Sequence, residues 1–336
     1  MTIIVDAFGG DNAPLEIIKG CEAAVKEFGA EIILTGKEDE IRSVISENGI
    51  SDNGMTIINA DSVITMEDDH SVVVKAKKDS SMAVGFSLLA EGKGDAFVSA
   101  GNTGAVLTGA SLIVKRIKGI KRAALAPLIP TEKGPAMLID CGANVENKPE
   151  YLMQFALMGS VYMNKIMGID KPRVGLANNG TEETKGTQLH IDAHNLIKNA
   201  PVNFIGNIEG RDIPLGAADV VVADGFTGNI ILKTIEGMGL LIISNLKEIL
   251  LKNAFTKLAA FMLKNGIRDF RNKLDYTEYG GAPLMGISKP VIKAHGSSNA
   301  KSFKNAIKQA IRFSETGVIP AIELYMSAFD EKTGEN

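Results

Sequence analysis

The sequence predicts an α/β fold: a mainly parallel sheet with helices on both faces, plus a protruding helical hairpin. Three observations carry that prediction. Short apolar runs alternate with helix-period segments along most of the 336 residues, the pattern of parallel strands joined by crossover helices. Gly-rich turns follow several of those runs, as loops at strand ends require. Residues 233–275 break the alternation with a long helical stretch that no strand follows.

TIIVD (2–6) reads as a buried strand. Asn12 is placed to cap the next helix, with Pro14 in its first turn, and the helix runs to about Phe28. EIILTG (31–36) is a second strand and a charged helix covers about 37–48. DAFVSA (95–100), ALAPLIP (124–130) and AMLID (136–140) continue the strand series, as do RVGLA (173–177), VNFIG (202–206) and DVVVAD (219–224). Helical periodicity covers about 81–91, 103–115, 149–167 and 186–198. After the long helical stretch, interrupted near Asn265-Gly266, come a Gly-rich turn (280–286), a short extended piece (290–294) and a terminal helix over about 299–313. The expected organisation is one α/β unit over 1–330, carrying 247–275 as a basic amphipathic insertion.

Composition narrows the function. At 45% apolar and 23% charged the chain is globular, and a formal net charge of −4 argues against bulk nucleic-acid binding. The N-terminus lacks the basic and apolar regions of a signal peptide, and no run of about 18 apolar residues suggests a membrane span. Cys21 and Cys141 have neither metal nor redox spacing, which fits a reduced cytoplasm.

The chemistry-bearing segments are turns. GGDN (9–12), SAGNTG (99–104), DCGAN (140–144), ANNGTEE (177–183) and DGFTGN (224–229) all fall where strands end. In open parallel sheets those ends line the ligand crevice. A Gly turn with Asn or Thr offers backbone N–H groups, a hydroxyl and an amide to one small volume, and a helix starting there adds partial positive charge. Such turns suit phosphate or a developing oxyanion, although they also serve as plain turns and caps. The candidates for those donors are Gly101, Asn102, Thr103, Gly104, Asn144, Gly225, Thr227, Gly228 and Asn229.

Lys185, in NGTEETKG, is either a cation for phosphate or part of an exposed helix start. His295, in AHGSS, either faces substrate or sits in a helix cap; with Asp11 it is a candidate for orientation or proton handling. His190 and His194 share a helix face, but no third ligand or H-E-x-x-H surrounds them. No nucleophile elbow, Walker lysine loop or GxGxxG is present, so the substrate is left to bring its own nucleophile. Lys257, Lys264, Arg268 and Arg271 belong to a basic amphipathic stretch, suited either to an acidic partner or anionic lipid or to packing on a twin subunit.

The ordered set DAFGGDNAP (6–14), SAGNTGA (99–105), DCGANVENKPE (140–150), NNGTEETKG (178–186), GNIEGRD (206–212), DGFTGN (224–229), YGGAPLMG (279–286) and HGSS (295–298) resembles the bacterial phosphate acyltransferase (PlsX) family along nearly the whole chain. Phe8 and Asn179 depart from that pattern, where methionine and an aliphatic residue are expected; neither removes a polar group. The resemblance implies attack of inorganic phosphate on the thioester of acyl-(acyl-carrier protein), giving acyl phosphate for membrane phospholipid synthesis. It implies a homodimer with a fold like isocitrate dehydrogenase and phosphotransacetylase, with no metal or organic cofactor. It also implies work at the inner membrane surface, handing product to a membrane glycerol-3-phosphate acyltransferase. A short-chain acyl-CoA transferase of the phosphotransacetylase type is the alternative; a membrane-docked scaffold and a dehydrogenase are weaker ones.

Overall fold

The computed structural model describes residues 1–274 and 280–333. Its strands fall into two sheets rather than one. The first has the order β3 (Met55–Asn59), β2 (Glu31–Gly36), β1 (Thr2–Asp6), β4 (Ala96–Ser99), β12 (Val291–Lys293), β11 (Ala282–Met285) and β5 (Ala124–Leu125). The second has β6 (Leu128–Thr131), β7 (Gly134–Ile139), β10 (Val220–Val222), β8 (Arg173–Asn178) and β9 (Asn203–Glu209). Each is parallel except for one reversed strand: β11 runs against both its neighbours and β6 against β7.

Alternation along buried strands divides the core. Ile3 and Val5 of β1 face α1 (Leu15–Phe28) and α10 (Ala300–Glu315), while Ile4 and Phe97 face α3 (Ser81–Ala90) and α4 (Thr103–Gly109). In the second sheet Val220 and Val222 face α5 (Pro149–Met167), and Val221 and Leu138 face the first turns of α7 (Gly225–Leu251). The two sheets are joined where β5 ends: the Cys141 N–H donates to the Leu125 carbonyl and the Leu138 N–H to that of Pro127.

Several expectations are corrected. The GGAPLMG segment holds a strand, β11, rather than only a turn. β3 was not expected; its half-exposed MTIIN pattern is too short to stand out. Asn12 does not cap α1, whose cap position is Pro14; its amide donates instead to the carbonyls of Ser297 and Ser298. A further helix, α11 (Val318–Thr333), follows α10.

The projecting arm begins earlier than 233. α7 starts in the DGFTGN turn and runs 27 residues, and only Gly225 and Gly228 in it are fully buried. Contrary to the sequence reading, it is long and apolar enough to cross a membrane by length and composition. It is followed by α8 (Ala254–Met262), which exposes Phe255 (86%) and Met262 (78%), and by α9 (Lys264–Leu274).

Candidate active site

Four neighbouring strands of the first sheet each place a buried polar residue at the same level. Thr35 pairs with Asp6 in register, Ser99 lies one step beyond the Val5–Val98 pair, and Ser99 pairs with Lys293. All four are buried in strands that are otherwise apolar. The Ser99 hydroxyl donates to Asp6 Oδ2 at 2.7 Å and accepts the Gly101 N–H at 3.0 Å. Lys293 Nζ donates to the carbonyls of Ala100, at 3.1 Å, and Ala294. Burial pushes the Asp6 carboxyl up, against the hydrogen bonds from Ser81, Ser99 and the Phe8 N–H and the charge of Lys293. Burial likewise brings Lys293 down to about 8, opposed by Asp6 and Asp11 and reinforced by Lys233.

Backbone crowds in above this row. A Cβ on Gly9 would lie 2.6 Å from the Gly101 nitrogen and 2.7 Å from Asp6 Oδ2, so only glycine fits. The next residues tie two distant loops together: the Asp11 N–H donates to the Gly296 carbonyl at 2.8 Å. That sets Asp11 beside the loop of His295, whose Nδ1 lies 2.9 Å from Ser297 Oγ. Desolvation holds the His295 imidazole below its ordinary value, with Lys233 and Lys293 acting in the same sense and Glu236 and Asp11 against it.

Gly101, Asn102, Thr103 and Gly104 therefore sit on the same strand ends as Asp11 and His295. The Asn102 amide is already engaged. Its Oδ1 accepts the Ala105 N–H at 3.0 Å, capping α4, and its Nδ2 donates to the carbonyls of Met66 and Asp68. The N–H groups of Thr103 and Gly104, first in the helix, have no intrahelical acceptor.

At the second sheet, Asp140 follows β7 and organises the other turn. Its carboxylate accepts N–H bonds from Leu125 (2.9 Å), Ala143 (3.2 Å) and Asn144 (2.7 Å), and one from the Asn144 amide (3.0 Å). Burial still pushes it up to about 6. The Asn144 amide also donates to the Ala123 carbonyl, and the Asn144 carbonyl accepts the Gly225 N–H at 2.9 Å. Asp224 caps α7 by accepting the Thr227 N–H at 3.0 Å. Gly228 lies against the Asp140 backbone, and Asn229 faces Gly142.

The two clusters meet through α7. Asn229, Lys233 and Glu236 share one helix face by their spacing. Lys233 and Glu236 are paired at 2.7 Å, and both charges act on His295. Lys185 is exposed on the 179–186 loop, with its carbonyl held by Asn178. That loop reaches the second cluster through the following helix, α6 (Gln188–Lys198), whose His190 lies 4.0 Å from Asp224. His194 turns elsewhere: it is buried, 3.0 Å from Asn207 Oδ1. Cys141 is buried, with its thiol pushed well up by burial and by Asp140, so it is a poor nucleophile. Lys257, Lys264 and Arg268 are exposed on α8 and α9; Arg271 lies in α9, and its side chain is outside the described residues. A cavity of about 740 Å³, lined by Leu157, Asn164, Lys171 and Tyr325, opens at the starts of β8 and β9, the wrong strand ends for these turns.

Sequence reasoning missed Asp6, Ser99, Lys293 and Asp140. The available signal was a polar residue closing each apolar strand, in TIIVD, AFVS, VIK and AMLID.

The sequence matches the family described as "Fatty acid synthesis protein" over residues 1–321. It is 51% identical over 323 residues to a phosphate acyltransferase of Thermoanaerobacterium thermosaccharolyticum, covering 96% of each chain. It is 49% identical over 331 residues to a phosphate acyltransferase of Alkaliphilus oremlandii, covering 98% of this chain and 99% of that one. Among solved structures, a phosphotransacetylase from Streptococcus pyogenes superposes with a TM-score of 0.64 at 19% identity, covering 95% of this chain and 94% of that one. A branched-chain phosphotransacylase from Enterococcus faecalis gives 0.56 at 16% identity, covering 94% of this chain and 100% of that one. At these identities the structural likeness is one of fold.

Proposed function

Because the chain belongs to this fatty acid synthesis family of phosphate acyltransferases, we propose that it moves a long-chain acyl group from acyl-(acyl-carrier protein) to inorganic phosphate. A phosphate oxygen forms the new bond to the thioester carbonyl carbon. The carbon–sulfur bond breaks, acyl phosphate is formed, and the carrier thiol leaves with the proton that phosphate gives up. Phosphate is anionic near neutral pH, so the step needs orientation more than a strong base. Orientation is worth about 7–11 kcal/mol, and each oxyanion donor about 3–4 kcal/mol.

The observation that carries this reading is the first turn of α4, where the N–H groups of Thr103 and Gly104 lack intrahelical acceptors just beyond the Ala100 carbonyl that Lys293 holds. In this reading phosphate lies against Gly101–Gly104, with Asp11 and His295 at its rim. Asn229, supported by Thr227, Gly225, Gly228 and Asn144, faces the thioester, and Lys185 supplies a cation from its loop. The arm at 247–275 is a docking insertion on an α/β unit over 1–330. Lys257, Lys264, Arg268 and Arg271 there meet the acidic carrier or an anionic membrane surface, and the exposed apolar side of the arm packs on the twin subunit of a homodimer. Product passes at the inner membrane face to a membrane glycerol-3-phosphate acyltransferase, in the service of phospholipid synthesis.

The test is thiol release from long-chain acyl-carrier protein by purified protein as phosphate is varied. Release should require phosphate, and kcat/KM should exceed that with acetyl-CoA by at least about 100-fold. The reverse preference would establish the short-chain acyl-CoA reading, and release indifferent to phosphate would end both.

A further inference from the structure

Gly-rich turns present carbonyls as well as N–H groups, and a carbonyl aimed at an anion repels it. At the ends of β4 and β12 two carbonyls, those of Ala100 and Ala294, fall beside the turn that opens α4. Both accept hydrogen bonds from Lys293 Nζ. One residue on, the Gly101 N–H is held by Ser99, which is itself held by Asp6. The Ala100–Gly101 peptide is thus held at both edges, its carbonyl by Lys293 and its N–H by Ser99. We propose that Lys293 is a positioning residue for phosphate capture: its ammonium turns the two strand-end carbonyls away from the crevice, so that the N–H groups opening α4 and a buried positive charge remain facing it.

The chemistry selects lysine. Lys293 is 7% exposed, at the close of a three-residue strand whose other members are apolar. A buried ammonium is costly without partners. Here it has the two carbonyls as acceptors, and the Asp6 and Asp11 charges favour it against burial and the Lys233 charge. Neutral residues could hold the strand but could not offset two carbonyl dipoles at an anion site. Lys293 is spent on the Ala100 and Ala294 carbonyls, and in this proposal it acts through the turn. The inference rests on the phosphate-transfer reading above.

The test is Lys293→Met, which keeps the apolar stem and removes the charge. KM for inorganic phosphate should rise at least tenfold, while KM for the acyl donor stays within twofold and the circular dichroism spectrum is unchanged. A folded variant whose phosphate KM stays within twofold of wild type overturns the proposal, as does one that loses kcat alone. Asp6→Asn/Lys293→Met removes the partner charge together with the ammonium and carries the same expectation if the single variant misfolds. Independently of either variant, phosphate added to wild-type protein labelled with 13C at lysine Cε should raise the midpoint of its most depressed lysine resonance; no change overturns the proposal. Wild-type protein without phosphate-dependent thiol release would instead remove the underlying reading.

Discussion

Gly228→Ala tests how firmly α7 is seated. A Cβ at this position would lie 1.9 Å from the Asp140 carbonyl oxygen, whereas real Cβ atoms essentially never come within 3.0 Å of such an atom. The obstacle is backbone, and Asp140 cannot yield, because its carboxylate is held by Leu125, Ala143 and Asn144. The start of α7 must therefore retreat by about 1 Å. Overpacking of this kind costs about 1–3 kcal/mol, offset by about 0.5–1 kcal/mol of alanine's helix preference. In a chain of this size the net loss lowers the melting temperature by up to about 3 °C. The larger effect is on turnover: a 1 Å displacement of positioned groups costs about 100-fold in rate, and the displaced segment carries Thr227 and Asn229. Gly237→Ala is the matched control in the same helix, since nothing lies within 4 Å of its Cβ. It should keep full activity and melt no lower than wild type. Thermal melts and phosphate-dependent thiol release decide the matter. A Gly228→Ala enzyme within twofold of wild-type kcat/KM, with an unchanged melting temperature, would refute the seating of α7 on Asp140.

Charge reversal at the exposed Lys257 and Lys264 should slow carrier association about tenfold at low salt and converge with wild type at high salt; salt-independent binding by stopped flow would remove the docking role. Asp140 predicts a pH dependence of stability. Its folded value of about 6 lies above its ordinary value, so the native state holds the proton more tightly, and stability should fall by about 3 kcal/mol as pH rises across that interval and level off above it. Urea unfolding of wild type against Asp140→Asn reads the difference, and parallel pH curves would contradict it. Asn102→Asp places a carboxylate at the cap of α4 and should raise phosphate KM at least tenfold, whereas Asp224→Asn at the cap of α7 should change it less than threefold. Equal effects in steady-state kinetics would mean that the two turns share the anion.

The fold class was legible because buried parallel strands are written as uninterrupted apolar runs, as in TIIVD and DVVVAD. The division into two sheets was not, because it depends on which runs become neighbours. β12 inserts beside β4, bringing Lys293 to Ala100 across 193 residues of sequence, and Ser99 meets Asp6 across 93. Each of those polar residues looks incidental at the end of its own strand; only the register aligns them. The asparagines were misleading in the opposite way. Asn102 and Asn144 have the right chemistry and the right turns, yet their amides close backbone groups within a few ångströms. A side chain's capacity to donate can be read from its type, but its direction cannot.

The same limit explains why two nearly identical Gly-x-Thr-Gly turns are chemically unlike. The neutral Asn102 caps the first, the N–H groups of Thr103 and Gly104 have no intrahelical acceptor, and Lys293 holds the nearby carbonyls of Ala100 and Ala294. Asp224 caps the second, and its carboxylate occupies the Thr227 N–H while the Asn144 carbonyl occupies that of Gly225. A phosphate placed there would meet a carboxylate and one fewer open N–H group, and like charges at such range oppose binding. The first turn is therefore the better cradle for an anion. The second anchors a helix, through glycines set against Asp140, and that helix carries Asn229 against Gly142 and carries Lys233 and Glu236, whose charges act on His295. The repeated motif is set differently in the two helices, with α4 opening at its third residue and α7 at its first, and the residue just before each helix decides which copy can hold charge.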